Sequence, residues 1–192
     1  MVLDIGTTVG LISLVMASWV GKTGRIYAFE PAPESLRALR KHIRLNGMAD
    51  RIEAVSCAIS DTAGEATFYA HTYNGENTLS ASFARRVPDA RGVRVPVTTI
   101  DDFCASRAII PTLLKIDIEG FEFHALEGAR QTLRRHRPTV IVELHPMVWK
   151  ETGPSTERVT QTLADLGYQA RPLECQADLW AEYGHIVLDA VA

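Results

Sequence analysis

The sequence predicts an α/β fold on a mostly parallel sheet, and three observations carry that prediction. Short apolar runs alternate with helical periodicity in the order β-α-β-α-β over the first 56 residues. The connections between them are only a few residues long, which points to a parallel sheet with right-handed crossovers. Hydrophobic residues make up 46% and charged residues 22% of the chain, the balance of an ordinary globular protein rather than a fibrous or disordered one.

The elements follow in order. Val2-Leu3-Asp4-Ile5 is a short apolar strand ending in glycine, and Leu11 to Met16 has the spacing of a buried helix. Arg25 to Phe29 has strand composition and stops at Pro31, which has no N–H to donate to a ladder. A helix opens at Pro33-Glu34-Ser35 and ends at Asn46-Gly47, a C-terminal stop signal. Arg51 to Ser56 is the third strand. Ala66 to Ala70 and Val93 to Ile100 also read as strands, and the polar stretch 73–92 between them reads as a loop over the sheet edge. Thr112 to Ile118 restores the parallel texture, followed by a helix from about Phe121 to Arg135 and a strand from Pro138 to Leu144. A helix over Ser155 to Leu166, a short strand at Tyr168 to Arg171 and a last strand at His185 to Ala190 complete the chain.

At 192 residues, with roughly 100–200 per domain, the chain reads as one domain over residues 1–192. No apolar run reaches the roughly 20 residues that cross a bilayer, and the N-terminus lacks the basic region of a secretory signal. The default address is the cytoplasm, with no membrane partner. Twenty Lys and Arg against 23 Asp and Glu give a net charge of −3, a poor match to a phosphate polymer, so nucleic acid is disfavoured. Cys57, Cys104 and Cys175 are odd in number and widely spaced, and read as free thiols. The oligomeric state stays open.

In an open parallel sheet, ligands bind at the carboxyl ends of the strands. Asp4-Ile5-Gly6-Thr7-Thr8-Val9-Gly10 lies at the first such end and supplies two glycines where the backbone must turn sharply. The pattern is D-x-G-x-x-x-G, without the middle glycine of a nicotinamide-binding turn, and a tight turn with no ligand is the plain alternative. Glu30 ends the second strand 20 residues after Gly10, and its carboxylate suits the vicinal hydroxyls of a ribose. Its bland alternative, a helix cap, is weakened by Pro31 and Pro33. Asp117, Glu119 and Glu122 follow the fourth strand of the motif series; a helix N-terminus favoured by acids accounts for Glu122 but less well for Asp117. Glu143 and His145 share a strand phase at the next tip, where His145 is a candidate general base.

These segments resemble the FkbM family of S-adenosylmethionine-dependent methyltransferases. The resemblance rests on VLDIGTTVG (2–10), FEP (29–31), VSCAISD with GEATFY (55–69), VTTIDDF (97–103), LLKIDIEGFE (113–122) with ALEG (125–128), and ELHP (143–146). It implies a Rossmann-like class I methyltransferase fold, with a seven-stranded sheet and helices on both faces. It implies that Asp4, Gly6, Thr8 and Gly10 form the turn around the methionine part of the cofactor, that Glu30 holds the ribose, and that Ser56 to Ala58 border the adenine. Asp117 would lie near the sulfonium, with Glu119 and His145 facing a small-molecule acceptor whose hydroxyl takes the methyl group. Asn77, Ser80 and Ser82 in the 73–92 loop are candidates to touch that acceptor. Where the family commonly has Ala-Asn, this chain has Thr7-Thr8, and the segment that the family carries upstream of the first strand is missing before Met1. Three rivals accompany this reading: a magnesium-assisted version with Asp117, Glu119 and His145 as ligands, a non-catalytic protein that binds a partner through the 73–92 loop, and an NAD-linked oxidoreductase.

Overall fold

The computed structural model describes residues 1–71, 77–85, 89–153, 155–175 and 178–191. The elements in chain order are β1 (Val2–Ile5), α1 (Leu11–Trp19), β2 (Ile26–Phe29), α2 (Pro33–Leu45), β3 (Ile52–Val55), β4 (Ala58–Ile59), β5 (Gly64–Ala70) and α3 (Ala81–Ala84). They continue with β6 (Arg91–Thr98), α4 (Ile100–Arg107), β7 (Leu113–Ile116), α5 (Glu122–Glu127), α6 (Arg130–His136), β8 (Thr139–Leu144), α7 (Pro146–Thr152), α8 (Thr156–Asp165), β9 (Tyr168–Pro172) and β10 (Gly184–Ala190).

Seven strands form one sheet in the order β3-β2-β1-β7-β8-β10-β9. Within it β3, β2, β1, β7 and β8 pair in parallel, while β10 runs antiparallel to both β8 and β9. The order reverses beside β1, whose two neighbours are β2 and β7, so the ends of β1, β2 and β7 converge on the switch-point crevice. Because successive strand residues face opposite sides, the strands read as continuous apolar runs covered twice. Val2, Ile26 and Ala28 pack with Met16 and Ala17 of α1 and Leu36, Leu39 and Ile43 of α2. Leu3, Ile5, Phe29, Leu114 and Ile116 face the other way, onto α4, α5, α6 and α8 through Phe103, Phe123, Leu133 and Leu163. Helices therefore cover both faces. Each fully buried Leu, Ile or Phe of this core contributes roughly 1.5–3 kcal/mol relative to exposure.

The middle of the chain differs from the sequence reading. The segments read as strands at 66–70 and 93–100 pair with each other, antiparallel from Gly64–Val97 to Ala70–Arg91, in a separate sheet ordered β4-β6-β5. The second strand ends at Thr98 because Thr99 accepts the Asp102 N–H at 2.9 Å and starts α4, a helix the apolar alternation of 93–100 conceals. In the expected loop at 73–92, Thr78 bridges back to Tyr69 of β5 and residues 81–84 form the short helix α3; residues 73–76 and 86–88 of the loop lie outside the described residues. The single helix expected over 121–135 is two helices. Gly128 lies against the Ser60 carbonyl, where a Cβ would come within 2.3 Å, and Asp101 accepts the Gln131 and Thr132 N–H groups to begin α6 afresh.

Candidate active site

The turn after β1 has to reverse direction in close contact with β7. Gly6 adopts φ +80°, and a Cβ there would stand 1.7 Å from the Asp117 carbonyl oxygen, so only glycine fits. Thr8 takes φ +52°, a left-handed conformation that a β-branched residue occupies at a cost of about 1–2 kcal/mol. Asparagine visits this region more readily than threonine. Thr8→Asn is expected to raise Tm by about 2–4 °C, at ~1 kcal/mol for a chain of this size, in a calorimetric melt; an unchanged or lower Tm contradicts the strain.

Beneath the turn, Asp4 is fully buried, accepts a short hydrogen bond from Ser13 Oγ, and lies 3.7 Å from Lys115 Nζ. Lys115 also donates to the Gly6 carbonyl at 3.2 Å and to Asp117 Oδ2 at 3.0 Å. Burial opposes the ammonium charge, yet Asp4 and Asp117 outweigh it and hold the Lys115 pKa above its ordinary value.

A cavity of about 360 Å³ opens over the strand ends, within the size range of small-molecule sites. Its lining includes Gly6, Thr8, Glu30 and Pro31, with Phe29, Ala58, Ile59 and Phe68 supplying apolar surface. Asp117, Glu119 and Glu143 line it as well, with Ile118 and Phe121. Glu30 is buried, and burial lifts its pKa to about 7 even though the Ala32 and Thr8 N–H groups favour its charged form. Two backbone donors leave it lone pairs for two further hydroxyls.

The structure thus gathers Gly6, Thr8, Glu30, Ala58, Asp117 and Glu119 around one cavity. Asp4 and Gly10 are off it: Asp4 props the turn from below, and Gly10 starts α1 at φ +92°, where a Cβ would meet Leu39 Cδ1 at 2.4 Å. Ser56 is exposed and also off the wall, since β3 ends at Val55 and the chain turns its next buried residues, Cys57 and Ala58, inward. Of the loop residues, Asn77 lines the cavity and accepts the His71 N–H at 2.8 Å, whereas Ser80 and Ser82 hydrogen-bond each other at 2.9 Å away from it.

His145 backs the acid wall rather than lining it. Glu122, fully buried, takes His145 Nδ1 at 2.8 Å on one oxygen and Trp149 Nε1 at 2.8 Å on the other. This carboxylate is an anchor, not the solvated helix-terminal acid its position suggested. His145 Nε2 then lies 3.3 Å from Glu119 Oε2 and 3.8 Å from Glu143 Oε1. Burial pulls the imidazole toward neutrality, but the hydrogen bond and charge of Glu122, followed by Glu119 and Asp117, raise its pKa to about 9. Burial raises Glu119 to about 7 against the pull of His145, and raises Asp117 against Lys115. Burial would raise Glu143 too, yet the Tyr183 hydroxyl that donates to it, with His145 and His185, leaves it below the ordinary range. Glu119 has φ +49° and Gly120 φ +97°, and a Gly120 Cβ would meet Val148 at 2.3 Å, so the Glu-Gly pair forces the chain to present Glu119 to the cavity.

Among the described residues, Asp117, Glu143 and His145 place one ligand atom each within 4.8 Å of one another. That differs from the magnesium set expected, with Glu143 in place of Glu119. Lys115 already neutralises Asp117, and an imidazole is a poor donor for a hard cation, so this donor set does not fit magnesium well.

Residues 4–170 match the model of the methyltransferase FkbM domain. The chain belongs to the FkbM methyltransferase family. It is 26% identical over 196 residues to methyltransferase sdnD of Sordaria araneosa, covering 87% of this chain and 73% of that one. It is 28% identical over 171 residues to 31-O-demethyl-FK506 methyltransferase FkbM of Streptomyces tacrolimicus, covering 75% of this chain and 65% of that one. The solved methyltransferase FkbM from Methylobacillus flagellatus KT shares the fold at TM-score 0.63 and 23% identity, over 97% of this chain but 42% of its own. The seven-stranded, mostly parallel Rossmann-like architecture is that of class I methyltransferases, and membership of this family excludes the nicotinamide-linked alternative. No helix among the described residues is long and apolar enough to cross a membrane.

Lys115 was not among the residues the sequence singled out, and Glu122 and Glu143 were noted there without a role in the site. Lys115 had one signal, a lone cation in an otherwise apolar parallel strand, in register with Asp4. Glu143 shares the strand phase of His145, and the anchoring role of Glu122 depends on contacts with His145 and Trp149 that its place at a helix start does not reveal.

Proposed function

We propose that this FkbM-family chain is an S-adenosylmethionine-dependent O-methyltransferase acting on the hydroxyl of a small molecule. One observation carries the reading: the glycine turn and buried Glu30 line a single cavity together with the carboxylates Asp117, Glu119 and Glu143. The acidic wall matches a sulfonium cation, and Glu30 matches a ribose diol. The Streptomyces tacrolimicus relative bears a name that specifies an oxygen acceptor, which supports the same chemistry here.

When bound, S-adenosylmethionine supplies an electrophilic methyl group for in-line displacement. The chain must hold the acceptor oxygen in line and remove one proton. We assign proton removal to Glu119 rather than to His145. A base must be unprotonated before it acts, and His145, with a pKa of about 9, holds its proton at neutral pH, whereas Glu119 near 7 is poised to accept one. His145 is a positioning residue: anchored by Glu122 at 2.8 Å, it presents Nε2–H toward Glu119 and steadies the carboxylate. Asp117, fixed by Lys115, flanks the acceptor.

The pH dependence follows with its sign. Turnover rises as Glu119 ionises near pH 7 and falls as His145 loses its proton near pH 9, giving a plateau between. Glu122→Gln removes the negative charge that keeps His145 protonated, so the upper limb shifts to lower pH. A kcat profile in which that limb stays fixed contradicts the relay. The function itself is tested by calorimetric titration of S-adenosylhomocysteine and by transfer of a labelled methyl group to small hydroxylated acceptors. Absence of nucleoside binding overturns it, and binding without transfer to any acceptor favours the non-catalytic alternative.

A further inference from the structure

The amino ends of β2 and β3, opposite the cavity, form a second concavity with α2. This groove, of about 560 Å³, is lined by Arg25 and Arg51 from the strand starts and by Arg40 and Arg44 from α2, with Ile43 and Ile52 at its base. Arg40 and Arg44 are one helical turn apart and therefore share a face. Arg51 donates to the Val20 and Gly21 carbonyls and Arg25 to the Asp50 carbonyl at 2.6 Å, so backbone holds both guanidinium groups in place.

None of these four arginines forms an ion pair among the described residues. Glu53, the carboxylate on the groove wall, is taken by Arg107 at 2.6 Å. Arg51 Nε is buried without a hydrogen-bond partner. A chain with net charge −3 thus concentrates four uncompensated cations on one concave surface. Like charges so placed repel, and the arrangement is stabilised by an anion that bridges them. Guanidinium forks match phosphate oxygens two at a time.

We propose that this groove binds a small molecule carrying two or more phosphate groups, at a site separate from the cavity at the strand tips. The overall charge of −3 disfavours a long polynucleotide, so a compact polyanion is the favoured occupant. The proposal is independent of the assignment of methyl transfer.

Titration calorimetry of the full chain with inorganic tripolyphosphate tests it, at two salt concentrations. The expected result is binding with Kd below about 1 mM, weaker at higher salt, and reduced at least 10-fold in Arg40→Gln/Arg44→Gln. Both positions are exposed, so the fold should persist, which circular dichroism checks. Arg37→Gln, on the same helix but outside the groove, should change affinity less than 2-fold. Absence of binding overturns the proposal. So does an equal loss per charge in Arg37→Gln, which marks diffuse surface attraction, or citrate binding as well as tripolyphosphate, which removes the phosphate preference. Single-stranded RNA that binds more tightly through the same arginines also overturns it in favour of a polynucleotide surface.

Discussion

Glu30→Ala is expected to abolish measurable nucleoside binding at ordinary protein concentrations while leaving the chain folded. The carboxylate is buried on the cavity wall, and a hydrogen bond to a charged group is worth about 1.5–3 kcal/mol. Losing two such bonds to a ribose costs S-adenosylhomocysteine on the order of 10²–10⁴-fold in Kd. The fold itself gains slightly or stays level, because an acid raised to about pH 7 by burial is not a stabilising group in the empty protein. Calorimetry of the variant, with a melting curve alongside, separates the two effects. An unchanged Kd would mean that Glu30 does not touch the ligand.

Gly6→Ala should give the largest loss of stability of any single methyl addition near the site. A Cβ placed 1.7 Å from the Asp117 carbonyl cannot be accommodated by a side-chain rotation, since the obstacle is backbone of β7's continuation and φ +80° is itself unfavourable for alanine. The strands must part or the turn must rebuild, and we expect a loss of several kcal/mol, comparable to overpacking plus backbone strain. At about 2–4 °C per kcal/mol this lowers Tm by roughly 10 °C or more, or prevents soluble expression. A melt within 2 °C of the parent would show that the turn and β7 are not in contact.

The strands at the switch point were readable because each is a short, doubly covered apolar run that ends in a glycine or a proline: Val2–Ile5 before Gly6, Ile26–Phe29 before Pro31. The acids at the tips were readable for a related reason, since Glu30, Asp117 and Glu119 are charges where a buried run stops. What stayed hidden depends on contacts between distant segments. Asp101 begins a helix 30 residues away, and Gly128 breaks one by packing on Ser60, so neither boundary has a local signature. Of the Ser56–Ala58 stretch expected at the adenine edge, Cys57 and Ala58 line the cavity while Ser56 is exposed, because regular strand geometry has already ended at Val55. The partner that sets the charge of His145 was hidden for the same reason: Glu122, which takes its Nδ1, lies 23 residues away in the chain.

The ammonium of Lys115 has a mechanical meaning beyond its charge. It grips the Gly6 carbonyl on one strand tip and Asp117 on the next, so the bend that would cradle the donor and the acid that would flank the acceptor are riveted together. Neither half can drift without dragging the other, and the spacing across which a methyl group must travel is thereby set by the scaffold before any ligand arrives.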